Sequence, residues 1–168
     1  MNKPKIIILR GNSASGKSTV AKTMQEKIGH GTLLISQDDV RREMLWVRSG
    51  EHSQGVELLK HLVSFGYNNC SVTILDGILS TVSYTKLFEE IALLFGEHIF
   101  AYYFDLSFEE TLRRNEQKQK VKQYNVGELE MKKWWREKDL LTSIHEKIIT
   151  EDMGFDDIIN WISSDLQK

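Results

Sequence analysis

A chain of 168 residues with a formal net charge of −2, 40% apolar and 27% charged residues, has the make-up of one globular domain around a continuous core. The mild acidity disfavours a broad nucleic-acid surface and leaves room only for a local basic groove. A single cysteine, Cys70, excludes an internal disulfide and suits a reducing compartment; with no leader-like or membrane-length apolar run, a cytoplasmic protein spanning 1–168 as one domain, without a membrane partner, is expected.

The first element is the apolar run Ile6–Leu9, whose isoleucines mark a short buried strand. It ends in Gly11-Asn12-Ser13-Ala14-Ser15-Gly16-Lys17-Ser18, the pattern G-x-x-x-x-G-K-S/T. Val20, Ala21, Met24 and Ile28 then recur at helical spacing, and Gly29 stands where that helix would stop. A pattern of this kind between a strand and a helix start forms a phosphate-binding loop, whereas an incidental Gly/Ser turn needs neither neighbour. Its backbone N–H groups converge on one concavity, where unpaired donors and the helix dipole favour an anion. On this reading Gly11 through Thr19 hold a nucleotide's phosphates, Lys17 sits on the β- and γ-phosphates, and the Ser18 hydroxyl meets Mg²⁺.

Thr32–Ser36 reads as a second strand running into Gln37-Asp38-Asp39-Val40, with Val40, Met44 and Val47 keeping a helical period. Adjacent carboxylates at a strand's C-terminal end lie at the crevice where open α/β sheets bind ligands; one is expected to cap the helix and the other to face the ligand. Ser53 is placed to cap a helix carrying Val56, Leu59, Leu62, Val63 and Phe65, which Gly66 would close. Val72–Asp76 is a third strand, and Asp76 before Gly77 fits a Walker B carboxylate holding Mg²⁺. Strands also end in Asp simply at turns, so the loop earlier in the chain is what favours this reading. Leu87, Ile91, Leu94 and Phe95 mark the next helix.

Ile99–Asp105 is the fourth strand, and Ser107 with Glu110 makes a capping-box pattern for the helix that follows. From Arg113 onward that helix is almost wholly polar, so the stretch of about 113–127 is expected to lie over the site as a lid rather than in the core. Trp134 and Trp135 follow; adjacent helical residues face different ways, which sends one of them to the core. Lys147–Thr150 is a fifth strand, and Phe155, Ile158, Ile159, Ile162 and Leu166 mark a closing helix. His52, His61 and His145 show no metal-ligand spacing. The alternation predicts an α/β fold: a three-layer αβα sandwich of the P-loop NTPase kind, with a five-stranded parallel sheet and a helical lid.

Together GNSASGKS, ISQDDVRR, the strand ending LDG, and FDLSFEETLRRN resemble the small P-loop kinases. The likeness is to phage-type polynucleotide 5′-hydroxyl kinases and to the zeta-toxin and chloramphenicol-phosphotransferase group, with their uridine-kinase-like relatives, over roughly residues 5 to 150. The resemblance implies that Asp38 is the general base for an acceptor hydroxyl, that Arg41 contacts the acceptor's phosphate, and that Arg114 is a lid arginine. The next lid arginine of those kinases falls on Lys118, a point charge without the guanidinium fork, and Arg113 is the alternative. The function so implied is an ATP- and Mg-dependent kinase acting on a hydroxyl of a nucleoside, sugar or antibiotic-like molecule. A polynucleotide 5′-hydroxyl kinase is the second reading, disfavoured by the acidic chain. A nucleotide-binding switch or toxin-like module is the third, and it would have no use for a general base.

Overall fold

The strands β1 (Lys5–Gly11), β2 (Leu33–Ser36), β3 (Val72–Gly77), β4 (Ile99–Asp105) and β5 (Glu146–Thr150) pair in the order β2-β3-β1-β4-β5, parallel throughout. The structure is a computed structural model and describes residues 3–48, 54–119 and 126–168. Helices alternate with the strands: α1 (Lys17–Ile28), α2 (Gln37–Asp39), α3 (Gln54–Asn69), α4 (Thr81–Phe95), α5 (Phe108–Gln119), α6 (Glu128–Trp134) and α7 (Phe155–Leu166).

The central strand explains the layering. Successive side chains on a strand point to opposite faces, and β1 is covered on both. Ile6 and Ile8 pack with Val56, Leu59 and Val63 of α3 and with Leu87, Phe88 and Ile91 of α4. Ile7 and Leu9 pack with Val20, Ala21 and Met24 of α1 and with Ile158, Ile159 and Ile162 of α7. The αβα sandwich and its five parallel strands are therefore as the sequence predicts. No helix among the described residues is long and apolar enough to cross a membrane.

Three local expectations give way to tertiary contacts. Gly66 does not close α3, which runs on to Asn69, leaving Phe65 exposed. Gly66 is instead buried where α3 crosses β3: a Cβ there would fall on Thr73 Oγ1 and lie 3.0 Å from Leu33 Cδ2. The glycine is required by close helix–sheet approach rather than by a turn. Gly66→Ala is accordingly expected to lose about 1–3 kcal/mol by overpacking despite alanine's better helix propensity, as urea unfolding would read. The predicted cap Ser53 lies outside the described residues.

Ser36, not an aspartate, caps α2, its Oγ accepting from the Asp39 N–H at 3.3 Å. Gln37 is already helical, so both aspartates fall in the first turn, where the helix dipole favours them. The helix then widens into a π turn over Val40–Met44, with Leu45 N–H donating to the Val40 carbonyl, and Met44 is exposed. The lid helix α5 makes half of its capping box. Glu110 N–H donates to Ser107 Oγ at 3.3 Å, while the Glu110 carboxylate turns to Arg113 and Arg114. The Ser107 N–H donates to Glu151 instead. The part of the predicted lid from 120 to 125 lies outside the described residues.

Candidate functional site

The sheet delivers the phosphate loop and Asp76 side by side, because β1 and β3 are neighbours with Leu9 opposite Asp76. Ala14 (φ 59°) and Gly16 (φ 97°) stand at positive φ between residues that do not, the alternation that turns backbone N–H groups into one concavity. Lys17 opens α1 and is buried; its ammonium donates to the Asn12 carbonyl at 2.6 Å and to Ser15 Oγ at 3.1 Å. Burial lowers its pKa to about 8; Asp76 opposes that shift, and Lys118 adds to it. Asp76 is likewise buried, which raises its pKa against the pull of Lys17 and of a hydrogen bond from Ser18. Its Oδ1 has no hydrogen-bond partner among the described residues. A buried carboxylate oxygen left over beside a serine hydroxyl is a donor set suited to a hard divalent cation.

A cavity of about 650 Å³ runs from Ser13, Lys17 and Ser18 to Asp38, Arg41 and Arg42. The Asp38 carboxylate is half exposed and accepts from Arg41 Nη2 (2.9 Å) and Arg42 Nε (2.8 Å), both on Oδ1. Gln37 is buried at the base of this wall and donates to Tyr84 Oη at 3.0 Å. Asp38, Arg41, Lys17, Ser18, Asp76 and Lys118 thus share one cavity. Arg114 reaches the loop from α5, its Nη1 donating to the Ser15 carbonyl at 3.0 Å. Arg113 does not: it pairs with Glu110 and lines neither this cavity nor the one between α1 and α5. The two arginines hold the Glu110 carboxyl well below its usual range, at about 2. Thr19 lines the second cavity with Gly16, Arg114 and Lys118.

The sequence reading passed over two features of the site. Arg10, one residue before the loop, is fully buried, and its guanidinium donates to both Glu146 oxygens (2.8 and 2.9 Å), to the Asp139 carbonyl and side chain, and to the Leu79 carbonyl. Phe88 and Tyr103 flank it. An arginine directly after the apolar strand run, before the loop glycine, was the readable signal. The second is the role of Asn12, which the sequence placed only within the phosphate loop. Its side chain makes two bonds to the Arg136 backbone, Nδ2 to the carbonyl (2.7 Å) and Oδ1 from the N–H (3.0 Å). These bonds seat the segment after α6 over the cavity, so neither tryptophan reaches the core. Trp135 packs edge-on to Phe108, and Trp134 is 41% exposed on the cavity wall.

A protein-family profile described as an AAA domain, AAA_33, matches residues 6–140. The chain belongs to the AAA_33 family. It is a family of P-loop kinases, in agreement with the resemblance drawn from the motifs. No curated protein sequence matches this AAA_33 chain. Among solved structures it is similar to the Mycobacterium tuberculosis APS kinase CysC in complex with AMPPNP and APS, at 17% identity over all of both chains and a TM-score of 0.67. It is also similar to a gluconokinase from Sinorhizobium meliloti 1021, at 13% identity over 99% of this chain and 94% of that one, with a TM-score of 0.67. A third likeness is to a chain of the Pnkp1/Rnl/Hen1 RNA repair complex, at 20% identity and a TM-score of 0.60 over 79% of this chain. The AAA_33 chain spans only 43% of that chain's length. At these identities the shared property is the fold, and the acceptor has to be argued from the site.

Proposed function

We propose that this chain is a cytoplasmic kinase domain that transfers the γ-phosphoryl group of ATP, with Mg²⁺, to a hydroxyl of a small molecule. The observation that carries this reading is that one cavity holds the phosphate loop at one end and Asp38 at the other. A nucleotide switch needs the first and has no use for the second.

Phosphoryl transfer asks the protein mainly for positioning and for cations where charge spreads. The loop amides and Lys17 hold the β- and γ-phosphates, while Arg114 and Lys118 supply positive charge from the lid side. Ser18 and the unpartnered Oδ1 of Asp76 would hold Mg²⁺. When bound, that ion would neutralise phosphate charge. The acceptor oxygen forms its bond to the γ-phosphorus as the bond to the ADP oxygen breaks, and the hydroxyl proton passes to Asp38. Both arginine bonds to Asp38 fall on Oδ1, which leaves Oδ2 for that proton.

The test is Asp38→Asn against Asp39→Asn, with ATP consumption screened over nucleosides, sugars, aminoglycosides and 5′-hydroxyl oligonucleotides. Asp38→Asn is expected to keep nucleotide affinity and to lose roughly 10²–10⁴ in turnover, the span for general-base loss. Asp39→Asn should stay near wild type. If turnover on the true acceptor survives both changes, the hydroxyl-kinase mechanism fails and the switch becomes the better reading.

Lys17 supplies a second test. Its folded pKa of about 8 lies below the ordinary 10.5, so between those values the folded protein holds fewer protons than the unfolded chain. Its contribution to stability therefore rises with pH across that window. A triphosphate beside Lys17 restores the proton. ATP binding at pH 8.5 is expected to take up protons, seen in calorimetry as a heat that depends on the buffer's ionisation enthalpy, and at pH 6.5, where Lys17 is already protonated, this uptake should be absent.

A further inference from the structure

We infer that the segment from Lys133 to Arg136 is an anion-binding wall of the acceptor site, and that the acceptor carries, besides its hydroxyl, a phosphate, sulfate or carboxylate group held there. The inference rests on the kinase reading and names the acceptor's class. Six basic side chains line the cavity (Lys17, Arg41, Arg42, Lys118, Lys133 and Arg136) against two carboxylates, Asp38 and Asp76, in a chain whose overall charge is −2. Lys17 and Lys118 stand by the phosphate loop, where a nucleotide accounts for them. Arg41 and Arg42 stand with Asp38, and Lys133 and Arg136 complete the lining from the end of α6 and the segment after it.

Arg41 and Arg42 share that carboxylate, and Lys133 and Arg136 have no ion pair among the described residues. Lys133 and Arg136 are exposed, yet like charges gathered along one cavity repel one another and focus a positive potential into it, and an incoming anion relieves both. The wall is also built before any ligand arrives. Asn12 fixes the Arg136 backbone at two points, Phe108 packs against Trp135, and the Asp139 carbonyl and carboxylate are tied to Arg10. Ordering costs are thus met on folding rather than on binding. Trp134 lies on the same wall and offers a flat apolar face beside the cations. Because Asn12 belongs to the phosphate loop, the loop that receives the nucleotide also sets the height of the acceptor wall.

The experiment fills the phosphate loop first. The protein is saturated with Mg–AMPPNP, and inorganic sulfate is then titrated in against chloride at equal ionic strength, read by tryptophan fluorescence and calorimetry. Wild type is expected to bind sulfate saturably. Lys133→Gln/Arg136→Gln should weaken that binding tenfold or more, and Lys133→Gln alone by a smaller factor. Asp38→Asn should tighten it by releasing Arg41 and Arg42. Absence of saturable sulfate binding to the loaded wild type, or equal binding by the double variant, overturns the inference and leaves the kinase reading standing. Failure of AMPPNP itself to bind overturns the kinase reading, and the inference falls with it.

Discussion

Replacing Arg10 by alanine is expected to lower the unfolding free energy by about 3–5 kcal/mol, the span for removing one partner of a buried ion pair. The guanidinium has no exposed surface and serves Glu146, Asp139 and Leu79 at once. Without it the Glu146 carboxylate, itself buried, keeps among the described residues only the Leu141 N–H at 2.8 Å. The loss is therefore the cost of a stranded charge more than the worth of the contacts. Arg10→Ala combined with Glu146→Gln should regain part of the loss, because the second change removes the stranded charge. Urea unfolding of the two single variants and the double variant closes the cycle and gives the coupling directly. A loss below about 1 kcal/mol for Arg10→Ala would show that the cluster contributes nothing beyond its solvation cost.

Lys17→Ala is expected to reduce phosphoryl transfer by at least about 10²–10³, the cost of removing one group that stabilises charge in the transition state. The same change should leave stability level or slightly higher. Lys17 is buried, and its lowered pKa says that its charge is held in the folded state against desolvation. Removing it relieves that penalty while giving up two hydrogen bonds within the loop. Turnover on the identified acceptor and thermal unfolding of the same preparation test both halves. A variant that unfolds, or that keeps wild-type turnover, contradicts the assignment of the loop.

The strands were legible because each carries a short apolar run, most of them rich in β-branched or aromatic residues, and β1 needed no neighbour to be recognised. The phosphate loop was legible because its chemistry is local: backbone, glycines, lysine and serine lie within nine residues. What could not be read depends on contacts between distant positions. Gly66 looks like a stop signal until β3 is seen pressed against it. Trp134 and Trp135 could not be assigned a face, since their direction is set by Asn12, more than a hundred residues earlier, holding the Arg136 backbone. The resemblance put a lid arginine on Arg114 and left Arg113 as an alternative to Lys118, and the position of α5 over the loop shows that Arg114 is the one that reaches Ser15. Arg10 is the instructive miss: a buried charge closing an apolar strand run demands partners, and the partners proved to be Asp139 and Glu146.

That arginine cluster also governs how the cavity can open. The Asp139 N–H donates to Tyr103 Oη, the Leu141 N–H to Glu146, and the Thr81 N–H to Asp139, so amides from separate segments end on groups that Arg10 holds or touches. They cannot be freed one at a time without exposing a charge that the others need. In hydrogen–deuterium exchange these three amides should behave as a single cooperative unit, slow and equally sensitive to denaturant, although none lies within a regular strand. The polar end of α5, with few buried contacts, should exchange far earlier. One rim of the cavity is thus fastened to the sheet on the timescale of unfolding, and access is left to the lid side.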